Sequence, residues 1–294
     1  MTTMAQLSSI SPFTQFMAVT CAALFAWSWL IQTVEFIRIF GSFQTNTVKT
    51  WWDWSLQRQD IPNPGLRRLL DRIYSRAGIR TQLCLRTLGG LALPVWVYCQ
   101  VTGIEPLEVF TTTTTLFALT ALLTTLHVLM LIRWRGAFNG GSDFMTLMVL
   151  LGLLIASAVN LGGNAELAWR AGFGFIALQS ISSYFLSGSV KLLRPEWRNG
   201  QAMTTFMNEA VRGPLAPHHW ARRPLLARLA SWSFILWECA FPLALWHPDL
   251  ALLFCLVAAV FHFLVFWFFG LNRFFWAWLA SFPAIIWCAA AHWN

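Results

Sequence analysis

Charged side chains are scarce here: Asp, Glu, Lys and Arg make up 11% of the 294 residues, where soluble domains carry about 25%. That shortage excludes an ordinary water-soluble domain. The sequence also lacks any Cys-x-x-C pair. Its six cysteines (Cys21, Cys84, Cys99, Cys239, Cys255 and Cys288) all lie in or beside apolar runs. A disulfide framework or zinc cluster is therefore not expected, and the thiols read as small apolar fillers. No basic stretch precedes the first apolar run, which is itself too long for a cleavable leader, so no signal peptide is expected. No internal repeat is visible. The net charge is +8, but the bases sit in short connections between apolar runs, so nucleic acid is not an expected partner.

What the sequence does have is apolar surface. Hydrophobic residues make up 57%, with 18 Trp and 25 Phe, and the mean hydropathy is +0.58. Crossing a bilayer takes about 20 mostly apolar residues as a helix. Eight windows qualify, at roughly 13–38, 83–104, 109–132, 144–162, 168–192, 229–247, 250–269 and 272–292. The second carries Arg86, Gly89-Gly90 and Pro94, and the eighth is interrupted by Pro283. Of the 20 Lys and Arg residues, all but Arg170 fall in alternate connections between these windows. A miscounted helix would scramble that alternation. The bias predicts both termini outside and the basic loops in the cytoplasm, in a bacterial inner membrane.

The expected fold is thus all-α: a polytopic integral membrane bundle of about eight transmembrane helices, forming one domain over residues 1–294. One further element is expected. In 64–80, Leu66, Leu69, Leu70, Ile73 and Ala77 recur at helical spacing while Arg67, Arg68, Arg72, Arg76 and Arg80 fill other positions. This predicts an amphipathic helix lying on the cytoplasmic leaflet, its arginines near anionic lipid. Residues 193–228 read as a cytoplasmic loop.

Ionisable residues inside apolar spans are costly and invite a functional explanation. Lys191 ends the fifth span on a polar stripe with Ser180, Ser183, Tyr184 and Ser187, and Gly188 gives close access beside it. A desolvated lysine can serve as a base, while a lysine at a helix end can equally snorkel to the headgroups. Glu238 lies mid-helix in the sixth span, with His262, Lys191 or Arg273 as candidate partners. His127 reads as a satisfied buried histidine. Glu35 and Arg38, three residues apart, are expected to pair at the membrane interface. The glycine-rich connection from Arg133 to Asp143 offers backbone donors beside two arginines and a cap for the fourth span. His218 and His219 lack companions for a metal site, and none is assigned.

The segment Tyr184-Phe185-Leu186-Ser187-Gly188-Ser189-Val190-Lys191, with Trp197 and Gly200 six and nine residues after the lysine, resembles the HTTM domain. That is the membrane module shared by vitamin K-dependent gamma-carboxylases and many bacterial proteins. Arg133–Phe144, Trp237–Pro242 and Phe261-His262 through Phe275 are similar to three other stretches of that family. The resemblance implies an intramembrane lysine base, Lys191, acting on a quinol, lipid or peptide, with His262 and Glu238 as further catalytic groups. It places Tyr184, Ser187, Gly188 and Trp197 around a bound quinol or hydroquinone. It also implies a carboxylase-like lyase or oxidoreductase, with a peptide or protein partner supplying a soluble domain. The family's histidine in the turn before the fourth helix is missing here, where Asn139-Gly140-Gly141-Ser142-Asp143 stands. The alternative is a non-catalytic membrane partner, or a peptide export or immunity helper acting through a protein complex.

Overall fold

The computed structural model describes residues 10–43, 54–102, 113–134, 140–211 and 223–291, with 214, 216, 218 and 219. Lys49, Arg135, Arg212 and Arg222, and residues 135–139 of the glycine-rich connection, lie outside the described residues. Among the described residues every regular element is a helix. Five helical stretches are long and apolar enough to cross a membrane: Pro12–Phe40, Thr113–Arg133, Gly141–Asn160, Pro248–Phe269 and Asn272–Ala290. The chain is therefore an all-helical protein suited to a membrane. It divides into two compact units at Gly172/Phe173.

The first unit is built on α1 (Pro12–Phe43), α4 (Arg76–Thr102), α5 (Thr113–Trp134) and α6 (Gly140–Asn160), with short α2 (Trp54–Gln57) and α3 (Pro64–Ile73) before α4. Its centre is polar. Arg86, the residue that interrupts the second apolar window, is completely buried. Its guanidinium lies 3.7 Å above the Trp29 ring and 5.2 Å from that of Phe36, an arrangement in which the ring quadrupole attracts the cation. The Trp29 indole returns a hydrogen bond of 2.8 Å to the Arg86 carbonyl. His127 is buried as expected, its Nε2 donating to the Asp143 carbonyl at 2.8 Å. Gln32 donates to the Thr146 hydroxyl at 2.5 Å, and Thr120 bonds Ser157 at 2.9 Å. Each of these buried bonds ties one helix to another.

The stretch 64–80 is not one helix. Pro64 at the first position and the Asn63 side chain, which accepts from the Gly65 and Leu66 amides, start α3. It ends at Ile73, and α4 begins at Arg76 with the Ser75 hydroxyl accepting from the Gly78 amide. The helices meet so closely that a Cβ on Gly78 would lie 2.3 Å from the Ile73 carbonyl oxygen. Any other residue there would force the turn open. Asp71 anchors α3 by accepting from the Arg58 guanidinium (3.0 and 2.7 Å) and the Trp54 indole (2.8 Å). Those bonds, Arg58 first, hold the Asp71 carboxyl below the usual carboxylate range.

The second unit takes most of α7 (Ala165–Leu193), then α8 (Pro195–Arg198), α9 (Gln201–Asn208), α10 (Pro224–Ala240), α11 (Pro248–Phe269), α12 (Asn272–Leu279) and α13 (Phe282–Ala290). The 193–228 region thus holds two short helices. The Ser231 hydroxyl donates to the Trp197 carbonyl and the Trp232 indole to that of Arg198, tying α8 to α10. Gly270, in the left-handed region at φ 69°, ends α11. The eighth window is broken at Ala280-Ser281, just before Pro283, into α12 and α13. Pro283 lies in the first turn of α13, where its missing N–H would have had no partner within the new helix.

Candidate functional site

The site grows from the heptad-like step along α7. Tyr184, Ser187 and Lys191 are three and four residues apart, so their side chains share one face. Ser180 shares it but is occupied, donating to the Ile176 carbonyl at 2.8 Å. Ser183 does not: it is exposed and donates back to the Gln179 carbonyl at 2.8 Å. The five-residue stripe expected from spacing is therefore a four-residue one.

Opposite this face stands α10. Glu238 is 3% exposed and Lys191 about one-sixth exposed. The Lys191 ammonium donates to both carboxylate oxygens of Glu238, at 2.7 and 2.5 Å, and to the Ser187 hydroxyl at 2.6 Å. Ser187 donates in turn to Glu238 at 3.4 Å. Of the three partners considered for Glu238, Lys191 is the one it meets. Lys191 does not snorkel away, and its amine also lies 5.1 Å from the centre of the Trp197 ring. A buried ion pair holds together only when close geometry and extra hydrogen bonds offset desolvation, and Ser187 supplies one of those bonds.

Gly188 makes the approach possible. A Cβ at this position would lie 2.7 Å from the Cys239 amide nitrogen, 2.8 Å from the Glu238 Cβ and 2.9 Å from the Cys239 sulfur. The amide nitrogen is α10 backbone and the Glu238 Cβ is fixed directly to it, so neither can swing aside. Gly188→Ala is therefore expected to push α7 from α10 and lower stability by about 1–3 kcal/mol, the usual range for overpacking. A thermal unfolding midpoint in detergent unchanged from wild type would contradict this.

His262 of α11 is buried but does not join Glu238. Its Nε2 lies 2.6 Å from the Tyr184 hydroxyl. Tyr184 is 3% exposed and caged by aromatic rings. It stacks on Phe241 at 4.0 Å between centroids, meets Trp237 edge-on at 5.3 Å and tilts against Trp278 at 4.6 Å. His262 stacks on Trp278 at 5.0 Å. The expected site residues therefore fall into two adjoining sets on one face of α7. One is the Lys191–Ser187–Glu238 cluster with Trp197 and Gly188; the other is the Tyr184–His262 pair.

Trp237, Phe241 and Trp278 were not identifiable from spacing as parts of this site. The available signal was weak: Trp237 and Phe241 flank Glu238 in sequence. Among the described residues no grouping of three His, Cys, Asp or Glu side chains could hold a metal ion. Among the described residues no two cysteines form a disulfide.

Chemically, an amine and a carboxyl in direct contact hold one exchangeable proton in a low-dielectric setting, where small changes in surroundings decide which group carries it. Such a pair can accept or deliver a proton at a defined point on an apolar molecule. No protein-family model matches the chain, and no curated protein or solved structure does.

Proposed function

We propose that this chain is an HTTM-like membrane-embedded enzyme in which the Lys191–Glu238 pair removes a proton from a lipid-soluble substrate, a quinol, a lipid or a peptide. The observation that carries the reading is the buried contact of Lys191, Ser187 and Glu238 beside a caged tyrosine–histidine pair. The proton leaves the substrate for the pair. The bonding electrons stay on the substrate, and the pair gains one positive charge next to the new anion. Tyr184 and His262 position the substrate from the neighbouring face, and the apolar surroundings exclude water that would quench a reactive anion. A hydroquinone would sit against this aromatic cage and offer a phenolic O–H to the pair, which takes the proton and leaves a phenolate.

In this reading α4, α7 and α10 also cross the membrane, making eight spans. At 1.5 Å per residue, the 27 residues of α4 and the 29 of α7 exceed the roughly 30 Å hydrocarbon core. The alternating basic loops then lie in the cytoplasm, and α3 rests on the leaflet there.

The test is mass spectrometry of small molecules extracted from protein purified in mild detergent, wild type beside Lys191→Ala. An apolar molecule carried by wild type and lost in the variant supports the enzyme. Wild-type protein that carries none, but brings down a second chain that Lys191→Ala also retains, overturns it in favour of the non-catalytic partner.

A further inference from the structure

The arginines around α3 and the start of α4 fall into two groups. Arg58 is held by Asp71, and Arg67 by the Ile61 carbonyl at 3.2 and 2.6 Å. Arg68, Arg72, Arg76 and Arg80 are exposed. Among the described residues none of these four meets a carboxylate, and Arg68 donates only to the Pro64 carbonyl of its own turn, at 3.4 Å. The turn between the two helices is tied down. The Tyr74 hydroxyl donates to the Leu129 carbonyl of α5 at 2.8 Å, and the Gln82 amide donates to the Ile73 carbonyl at 2.8 Å. Like charges four residues apart destabilise a helix, and both Arg68–Arg72 and Arg76–Arg80 have that spacing. A bound anion would remove the cost.

Beyond these arginines α4 carries one exposed stripe. Arg80, Cys84, Leu88, Leu91, Val95 and Tyr98 recur at steps of four and three, so they share a face, and all are exposed. The opposite face is closed: Leu83, Arg86, Leu93 and Val97 are buried. The stripe changes from charged to apolar between Arg80 and Cys84, about 6 Å along the axis. The headgroup layer on each side of a bilayer is roughly 5–8 Å deep. With Leu88 to Tyr98 against acyl chains, Arg76 and Arg80 stand at the depth of the phosphates. A single flat helix over 64–80 would lay its arginines along the surface. The break at Tyr74-Ser75 instead sets two of them at the head of a long apolar stripe.

We infer that this end of the first unit binds an anionic phospholipid, its phosphodiester held by Arg76 and Arg80 and one acyl chain lying along Cys84, Leu88, Leu91 and Val95. Arg68 and Arg72 add positive field from α3. The inference rests on the reading in which α4 crosses the membrane and draws nothing from Lys191. A guanidinium meets two phosphate oxygens with parallel hydrogen bonds. A headgroup with an ammonium brings its own cation to a cluster of four, whereas a glycerol headgroup brings none. A free anion would use the arginines and leave the apolar stripe uncovered. A phospholipid covers both, with charge and chain in the order in which α4 presents their partners.

The experiment is native mass spectrometry of the full chain in detergent with equal amounts of dioleoyl phosphatidylglycerol and dioleoyl phosphatidylcholine. Phosphatidylglycerol should be retained in preference. Arg76→Gln combined with Arg80→Gln should weaken its retention roughly 25-fold, about fivefold for each surface arginine. Arg194→Gln combined with Arg198→Gln removes the same charge from exposed positions of the second unit and should leave the preference intact. Equal retention of the two lipids, or equal losses in the two double variants, overturns the inference. Displacement of the lipid by inorganic phosphate overturns it in favour of a small-anion site. The span is tested separately, in phosphatidylglycerol nanodiscs with a water-soluble maleimide whose adducts are mapped by peptide mass spectrometry. Leu91→Cys should stay unreacted and Arg80→Cys should react. Reaction at both positions defeats the span and the lipid site with it. Protection of Leu91→Cys alongside equal retention of the two lipids defeats the lipid site and leaves α4 in the membrane.

Discussion

Lys191→Ala is expected to cost about 3–5 kcal/mol, the range for breaking a buried ion pair by removing one partner. It leaves the Glu238 carboxylate, 3% exposed, with only the long 3.4 Å bond from Ser187. Glu238→Ala should cost less. The ammonium it strands is about one-sixth exposed, keeps the 2.6 Å bond to Ser187, lies near the Trp197 ring, and has a flexible stem that can carry it toward water. The double variant Lys191→Met, Glu238→Gln buries no net charge and should recover most of the loss. A double-mutant cycle of thermal midpoints in detergent, over Lys191→Met, Glu238→Gln and their combination, reads the coupling. Equal losses that simply add would show that the two side chains do not work as a pair. The same three proteins divide structure from chemistry: a folded double variant that still holds and turns over its small molecule removes the pair from the mechanism.

The parts of this molecule legible in sequence are those set by local composition. Apolar windows at 109–132, 144–162 and 250–269 became α5, α6 and α11 with ends shifted by a few residues, because a helix in an apolar run needs no partner to be recognised. The break before Pro283 was visible for the same reason. The end of α3 was not. Leucine and arginine periodicity runs through Tyr74 and Ser75 without a glycine or proline between them. The chain turns there because Ser75 caps the next helix and Gly78 admits the Ile73 carbonyl, and both depend on tertiary approach. Ser183 shows the limit of periodicity from the other side. At about 100° per residue it lies roughly 60° from Ser180, at the margin of the stripe, and spacing alone cannot say which side of a margin packs. Arg86 shows a third limit. In sequence it weakens an apolar window, whereas in the fold it is a buried cation held over Trp29, a pairing across α1 and α4 that no local pattern announces. Glu238 was recognisable as a buried acid, but its choice of Lys191 over His262 was decided by Gly188, which sets how closely α7 meets α10.

The Tyr184–His262 pair should respond to substitution in a way that separates its hydroxyl from its ring. Tyr184→Phe keeps the stack on Phe241 and the contacts with Trp237 and Trp278, and removes only the bond to His262. The imidazole nitrogen is then sealed without its partner, and leaving one buried polar group unsatisfied costs about 1–3 kcal/mol. Tyr184→Ala loses the ring as well and should cost about 3–5 kcal/mol, the range for deleting a buried aromatic. Adding His262→Leu to Tyr184→Phe removes both polar partners and should return stability close to wild type, because replacing both members of a hydrogen bond by apolar groups is nearly neutral. That double variant is the informative one. It is expected to fold, to keep the Lys191–Glu238 contact, and to lose most of the bound small molecule, since only the Lys191 cluster would then be left on that face to orient a polar head. If instead it binds as wild type does, the tyrosine–histidine pair is a packing element, and recognition rests on the Lys191 cluster. Thermal midpoints and extracted-ligand mass spectra on the three proteins decide between these outcomes.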